Sequence, residues 1–164
     1  MTIIEAFRNE LESEAAITRK MLALVPTDRF EWQPHPKSMT LKRLATHIGE
    51  LPGWVSMAIN TDELDFQKNE YKPVEISSTQ DLLAYFEKNY EEAMRDLATF
   101  DAAKLANRWV LRNGEQIHWD TDKQGTIRVS ISQIIHHRAQ LGVFLRLLDI
   151  PIPGSYGPSA DESF

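Results

Sequence analysis

Apolar residues recur at three- and four-residue spacing in four stretches of the chain, separated by polar or proline-rich segments. This periodicity is typical of amphipathic α-helices, in which such residues share one face. It predicts helices at residues 2–25, 40–60, 79–98 and 130–149. Pro26 ends the first stretch, and either Ser78 followed by Asp81 or Ser77 followed by Gln80 resembles a capping-box start for the third.

Residues 101–128 do not follow the helical period. Two short runs, WVL at 109–111 and IHW at 117–119, flank Asn113-Gly114, a dipeptide favoured in tight hairpin turns. We therefore expect a short β-hairpin between helices 3 and 4. The whole pattern predicts an all-α fold, a four-helix bundle that forms a single domain over residues 1–164.

The last predicted helix carries polar groups in its apolar stripe. The stripe follows a heptad-like seam at Ile134, His137, Leu141, Phe144 and Leu148. Gln133 lies one turn before His137, and His47 lies in the apolar stripe of the second helix. A buried polar group without a partner costs roughly 1–3 kcal/mol, so these side chains need partners. Two interpretations stay open at this point: hydrogen-bonded core histidines, or a metal site built from two facing helices.

Composition narrows the functional classes. The 164 residues contain no cysteine, which excludes disulfides, thiolate metal ligands and an internal thiol nucleophile. The net charge is −6 and the basic residues are scattered, so no nucleic-acid partner is expected. No apolar run approaches the roughly 20 residues of a membrane span, and the acidic N-terminal segment lacks the features of a signal peptide. We therefore expect no membrane partner and a cytoplasmic location.

Four segments, HHRAQLGVFLRLL, LATHIGELPGW, EWQPHPKSMTL and PGSYGPSADE, together resemble the DinB-like superfamily of bacterial proteins. The resemblance spans essentially the whole chain and implies an unusual four-helix bundle. In that superfamily three histidines hold a divalent metal, one from the second helix and an H-x-x-x-H pair from the last. Carried over by position, the resemblance makes His47 and His137 metal ligands and places Gln133 where the remaining histidine is expected.

The glutamine has two interpretations. Gln133 could bind the metal weakly through its side-chain oxygen, or it could close a capping box with Ser130 at the start of the last helix. The resemblance implies zinc or nickel, and two imidazoles hold these ions less firmly than three, so low metal occupancy is expected.

Other residues are weaker candidates for the site. Glu50, one turn after His47, is the candidate catalytic carboxylate. Trp54, His118 and Arg138 are candidates for substrate binding, although tryptophan more often packs in a core and a loop histidine is usually solvated. His136 lies about 100° around the helix from His137 and is expected to face outward.

The resemblance also implies a function. Relatives include thiol-dependent transferases, which use an external low-molecular-weight thiol such as bacillithiol or mycothiol, and many family members are homodimers. We therefore expect a metal-dependent S-transferase acting on small molecules, assembled as a homodimer. The alternatives are a metal-dependent hydrolase, or a non-catalytic, stress-related binding module with a degraded metal site.

Overall fold

The computed structural model describes residues 1–70 and 72–163. The described residues form four α-helices, α1 (Ile3–Leu22), α2 (Leu41–Asn60), α3 (Thr79–Thr99) and α4 (Lys123–Leu147). They also form three strands, β1 (Glu63–Asp65), β2 (Arg108–Asn113) and β3 (Gln116–Asp122). The first three helices begin and end within three residues of the predicted bounds, because their termini carry local signals.

Side-chain caps explain where these helices start. The hydroxyl of Thr2 accepts a hydrogen bond from the amide of Glu5, and the carboxylate of Glu5 accepts one from the amide of Thr2, which completes a capping box. Thr40 caps α2 through the amide of Arg43. Ser78 caps α3 through the amide of Asp81, which is one of the two starts that the sequence predicts.

The small sheet corrects the all-α prediction. The predicted hairpin is present as β2 and β3, which run antiparallel and enclose Gly114 with a positive φ of 60°. Strand β1 pairs in parallel with β2 and gives the order β1-β2-β3. The fold is therefore mostly helical, with a three-stranded sheet at one end of the helices.

The last helix starts seven residues earlier than the predicted residue 130. Asp122 is its N-cap and accepts a hydrogen bond from the amide of Gly125 at 2.7 Å. Ser130 therefore lies inside the helix, where its hydroxyl donates to the carbonyl of Thr126. The capping-box interpretation of Gln133 is wrong, because its supposed partner does not cap a helix.

Two hydrophobic clusters make up the core, and α2 and α4 contribute to both. On α2, Leu44 and Ile48 belong to one cluster and Leu51 to the other. On α4, Leu141 belongs to the first of these clusters and Ile134 to the second. His137 thus lies between members of the two clusters, and His47 lies just before the point on α2 where the second cluster begins.

Candidate metal and substrate site

His47 of α2 and His137 of α4 face each other across the bundle. Their rings meet edge to face, with centroids 4.6 Å apart. Both residues line a cavity of about 390 Å³ at the end of the bundle that carries the hairpin. The structure therefore brings together the two histidines that the sequence singles out, and Gln133 lines the same cavity.

A carboxylate orients the first histidine. Nδ1 of His47 lies 2.6 Å from Oε1 of Glu50, and both side chains are partly buried. A carboxylate only accepts hydrogen bonds, so Nδ1 carries the proton. In the neutral imidazole this leaves Nε2 with its lone pair available to a ligand. Metal-binding histidines commonly have such a carboxylate partner on the nitrogen opposite the metal.

An amide orients the second histidine. Oε1 of Gln140 accepts from Nδ1 of His137 at 3.0 Å, and Nε2 of Gln140 lies 3.1 Å from Nε2 of His136. The amide has one accepting and one donating end, so the two contacts together define its orientation. Nε2 of His137 is again the available nitrogen. Both partners of Gln140 lie on its own helix.

Burial keeps His137 uncharged. Partial desolvation is the largest cause that lowers the pKa of His137 below 6.5, and the nearby His47 and His136 lower it further. The hydrogen bond that His137 donates to Gln140 raises the pKa and so acts in the opposite direction. The lone pair of His137 is therefore available at neutral pH, which binding to a metal requires.

The remaining walls differ in polarity. Thr126, Ser130, Gln133 and His137 form one stripe along α4, at spacings of four, three and four residues. The other walls are mainly apolar or aromatic: Leu51, Trp54, Leu111, Trp119 and Val129. Leu111 and Trp119 are paired across β2 and β3, so the hairpin closes one side of the cavity. The hairpin itself is predicted from the sequence, whereas its contact with this cavity is visible only in the structure.

Two of the sequence candidates lie elsewhere. His118 is exposed on β3 and does not line the cavity. Arg138 is buried and pairs with Glu14 of α1, at 2.6 Å between Nη1 and Oε2. Glu50 contributes through its bond to His47 and is not a wall of the cavity. Trp54 is the one substrate-binding candidate from the sequence that lines it.

The donor set fits a divalent metal in part. Two imidazole nitrogens and one amide oxygen are available at the cavity, whereas no cluster of three His, Cys, Asp or Glu side chains occurs among residues 1–70 and 72–163. Imidazole suits zinc and nickel, and an amide oxygen is a weaker third ligand for both. The residues fit a low-affinity metal site.

Comparison with known proteins identifies the family. The sequence model of the DinB family matches residues 3–163. The chain belongs to the DinB family. Comparison with curated proteins gave no match.

Solved structures of DinB-like proteins share the fold. A DinB-like protein from Bacillus subtilis has a TM-score of 0.71 and 15% identity, over 92% of this chain and 96% of the other. One from Bacillus cereus has a TM-score of 0.69 and 20% identity, over 93% and 97%. At such identities the similarity shows the DinB fold and carries no information on the site. Within the described residues, no helix is long and apolar enough to span a bilayer.

Proposed function

We propose that this DinB-family chain is a metal-dependent enzyme that transfers an external thiol to a small-molecule electrophile. The observation that carries the proposal is the facing pair, His47 and His137, each anchored through Nδ1 with Nε2 available at one cavity. Zinc or nickel would be held by these two nitrogens and by Oε1 of Gln133. Such a cation lowers the pKa of a bound thiol and holds it as thiolate.

The protein's own residues would position the reactants. Glu50 and Gln140 keep each imidazole in the tautomer whose lone pair is directed away from its anchor. The apolar walls exclude water from the electrophile. In the transfer step, the thiol loses its proton to solvent and its sulfur bonds to the electrophilic carbon. The leaving group departs with the electron pair of the bond that breaks.

A thiol transferase fits the site better than a hydrolase. Hydrolysis needs a general base within reach of the attacking water. Glu50 is the nearest candidate, but its carboxylate accepts from His47 and does not line the cavity. A thiolate needs no such base in the transfer step, and the chain, having no cysteine, leaves the nucleophile to an external thiol.

Calorimetric titration with zinc and nickel tests the metal site. We expect weak binding by the wild type and at least tenfold tighter binding by Gln133→His, because imidazole is the better ligand. Gln124→His adds an imidazole at an exposed position of the same helix and is the matched control, expected to leave the affinity unchanged. Equal affinities for wild type and Gln133→His would show that Gln133 is not directed at the metal.

A transfer assay tests the reaction. Bacillithiol or mycothiol and 1-chloro-2,4-dinitrobenzene are mixed with the zinc- or nickel-loaded protein, and release of chloride is followed. We expect turnover that His47→Ala and His137→Ala abolish. Metal binding without turnover of either thiol would favour the hydrolase, while no metal binding and no turnover would favour the non-catalytic binding module.

We also infer that two copies associate through the outer face of α4. Ala139, Val143 and Leu147 recur there at four-residue spacing, and Val143 and Leu147 are 59% and 58% exposed. Exposed apolar rows of this kind commonly mark interfaces. Sedimentation should give the mass of a dimer at micromolar concentration, and Val143→Lys/Leu147→Lys should give the mass of a monomer. A monomeric wild type would reject the assembly.

A further inference from the structure

We propose that the cavity binds an uncharged, flat, apolar group of the electrophile against Trp54 and Trp119. This inference rests on the proposed function, which it deepens by naming the class of substrate. Its starting point is the charge of the walls: no Lys, Arg, Asp or Glu side chain of the described residues lines the cavity. In the metal-free protein, an organic ion that entered the cavity would lose hydration without gaining an opposite charge, which is strongly unfavourable.

The two tryptophans differ from their neighbour Trp109. Trp109 is fully buried, and its indole N–H donates to Oγ1 of Thr61. Trp54 and Trp119 are only half-buried at the cavity, and neither indole N–H has a hydrogen-bond partner among the residues that the structure describes. Their ring surface and their donors are therefore available to a ligand. Flat rings bind well to such surfaces, because aromatic contacts add to the gain from burial.

The α4 wall can hold the polar end of the same ligand. The hydroxyls of Thr126 and Ser130 already donate to the carbonyls of Asp122 and Thr126. These hydroxyls can therefore only accept hydrogen bonds from a ligand. A neutral molecule with a ring at one end and a hydrogen-bond donor at the other matches both walls.

The volume limits the size of the group. About 390 Å³ lies near the small end of the range for ligand pockets, which is roughly 300–1,000 Å³. One ring or a fused pair of rings fits this space. Charged parts of a thiol cosubstrate would have to stay in solvent at the mouth of the cavity.

Two probes of matched shape test the proposal. Calorimetry with 2-naphthol, which is neutral at pH 7, and 2-naphthoate, which is an anion, is carried out on the full chain with EDTA present. We expect 2-naphthol to bind at least tenfold more tightly than 2-naphthoate. Trp54→Leu and Trp119→Leu should each weaken its binding at least fivefold. Trp32→Leu is the control, because Trp32 packs on Phe144 in the other part of the core and should leave the affinity unchanged.

A second measurement needs no variant and remains valid if a tryptophan variant fails to fold. In nitrogen-15 NMR spectra of the wild type, 2-naphthol should shift the indole N–H signals of Trp54 and Trp119 and leave that of Trp32 in place. Equal binding of the two probes, absence of binding, or shifts confined to Trp32 would overturn the proposal. Since EDTA removes metal from the experiment, a failed metal titration would reject the proposed function without affecting this result.

Discussion

Gln133 is the residue that sets this site apart from the three-histidine site that the resemblance implies. Its amide makes no hydrogen bond with other described residues, although it lines the cavity beside His137. The adjacent histidines, by contrast, are both anchored. Both histidines thus have hydrogen bonds of the kind that supports a metal-binding imidazole, and an amide lies where the resemblance implies a third histidine.

His137 gives the protein a measurable pH dependence. Its pKa in the folded chain lies below 6.5, mainly because of burial, so below that pH the unfolded chain binds more protons at this residue than the folded chain does. The free energy of unfolding therefore falls as the pH drops below 6.5. Urea unfolding of metal-free protein at pH 7.5, 6.5 and 5.5 should show this loss, and His137→Asn should show a smaller one.

His118 provides the control for that experiment. It is exposed on β3 and lies outside the cavity, so His118→Asn should keep the wild-type dependence on pH. If His137→Asn and the wild type lost stability in parallel, the contribution assigned to His137 would be wrong.

Among the elements, the junction of α2 with α4 depends on one lysine. Nζ of Lys123 donates to the carbonyls of Ala58 at 2.9 Å and of Thr61, and it pairs with Asp62 at 3.0 Å. Carbonyls at a helix C-terminus have no partner within the helix, and a cation there is favourable. The side chain of Lys123 is almost fully buried. Water therefore cannot take the place of its amine at these carbonyls unless α2 and α4 separate.

Replacing Lys123 by Met should therefore lower the free energy of unfolding by about 1–3 kcal/mol, the cost of unsatisfied buried polar groups. Methionine keeps most of the apolar stem, so the loss of stability measures the contribution of the amine. Urea unfolding measures it. Lys104→Met removes an exposed lysine and should change stability by less than about 0.5 kcal/mol. A loss for Lys123→Met as small as that of the control would contradict the role of the buried amine.

Helix periodicity predicted the elements well where local signals exist. The start of α4 was missed because Gly125, Thr126 and Val129 are weak helix formers, although Ile127, four residues before Ile131, extends the apolar stripe backwards. Burial of Ile127 in the core overrides that weak propensity. Strand β1 was missed for a different reason, since three residues that pair with a strand 47 positions later, as Glu63 does with Val110, leave no local pattern.

The candidate site, like the helices, is predictable only where the sequence carries a local signal. His47 and His137 stand out because each interrupts an apolar stripe. Trp119 and Leu111 do not, because their place at the cavity depends on how the hairpin packs against the helices. Arg138 is a substrate-binding candidate in the sequence, but its guanidinium is buried and pairs with Glu14 and Tyr156, which no local pattern indicates.

At the scale of the whole molecule, a polar cluster ties the C-terminal segment after α4 to α1, with Arg138 and Glu14 buried and Tyr156 exposed. Nη2 of Arg138 donates to the hydroxyl of Tyr156 at 2.9 Å, and this hydroxyl donates to Oε1 of Glu14 at 2.7 Å. The guanidinium also contacts the carbonyl of Glu14 and the hydroxyl of Thr18. Three distant parts of the chain therefore meet at one ion pair.

Arg138→Met should destabilise the fold by about 3–5 kcal/mol, because it leaves the buried carboxylate of Glu14 without its partner. The double variant Glu14→Leu/Arg138→Met should recover most of this loss, since it removes both charges. Thermal and urea unfolding of the three proteins provide the comparison. A double variant no more stable than Arg138→Met would show that the cluster acts through shape and not through charge.

The absence of a linker between β3 and α4 has a further consequence. Asp122 is at once the last residue of the strand and the cap of the helix, so the hairpin cannot move away from α2 without disturbing the first turn of α4. Widening of the cavity mouth beside Trp119 is therefore coupled to fraying of that turn. The rate at which the amide hydrogen of Gly125 exchanges with heavy water then reports how often the cavity opens, and a molecule held against Trp119 slows that exchange.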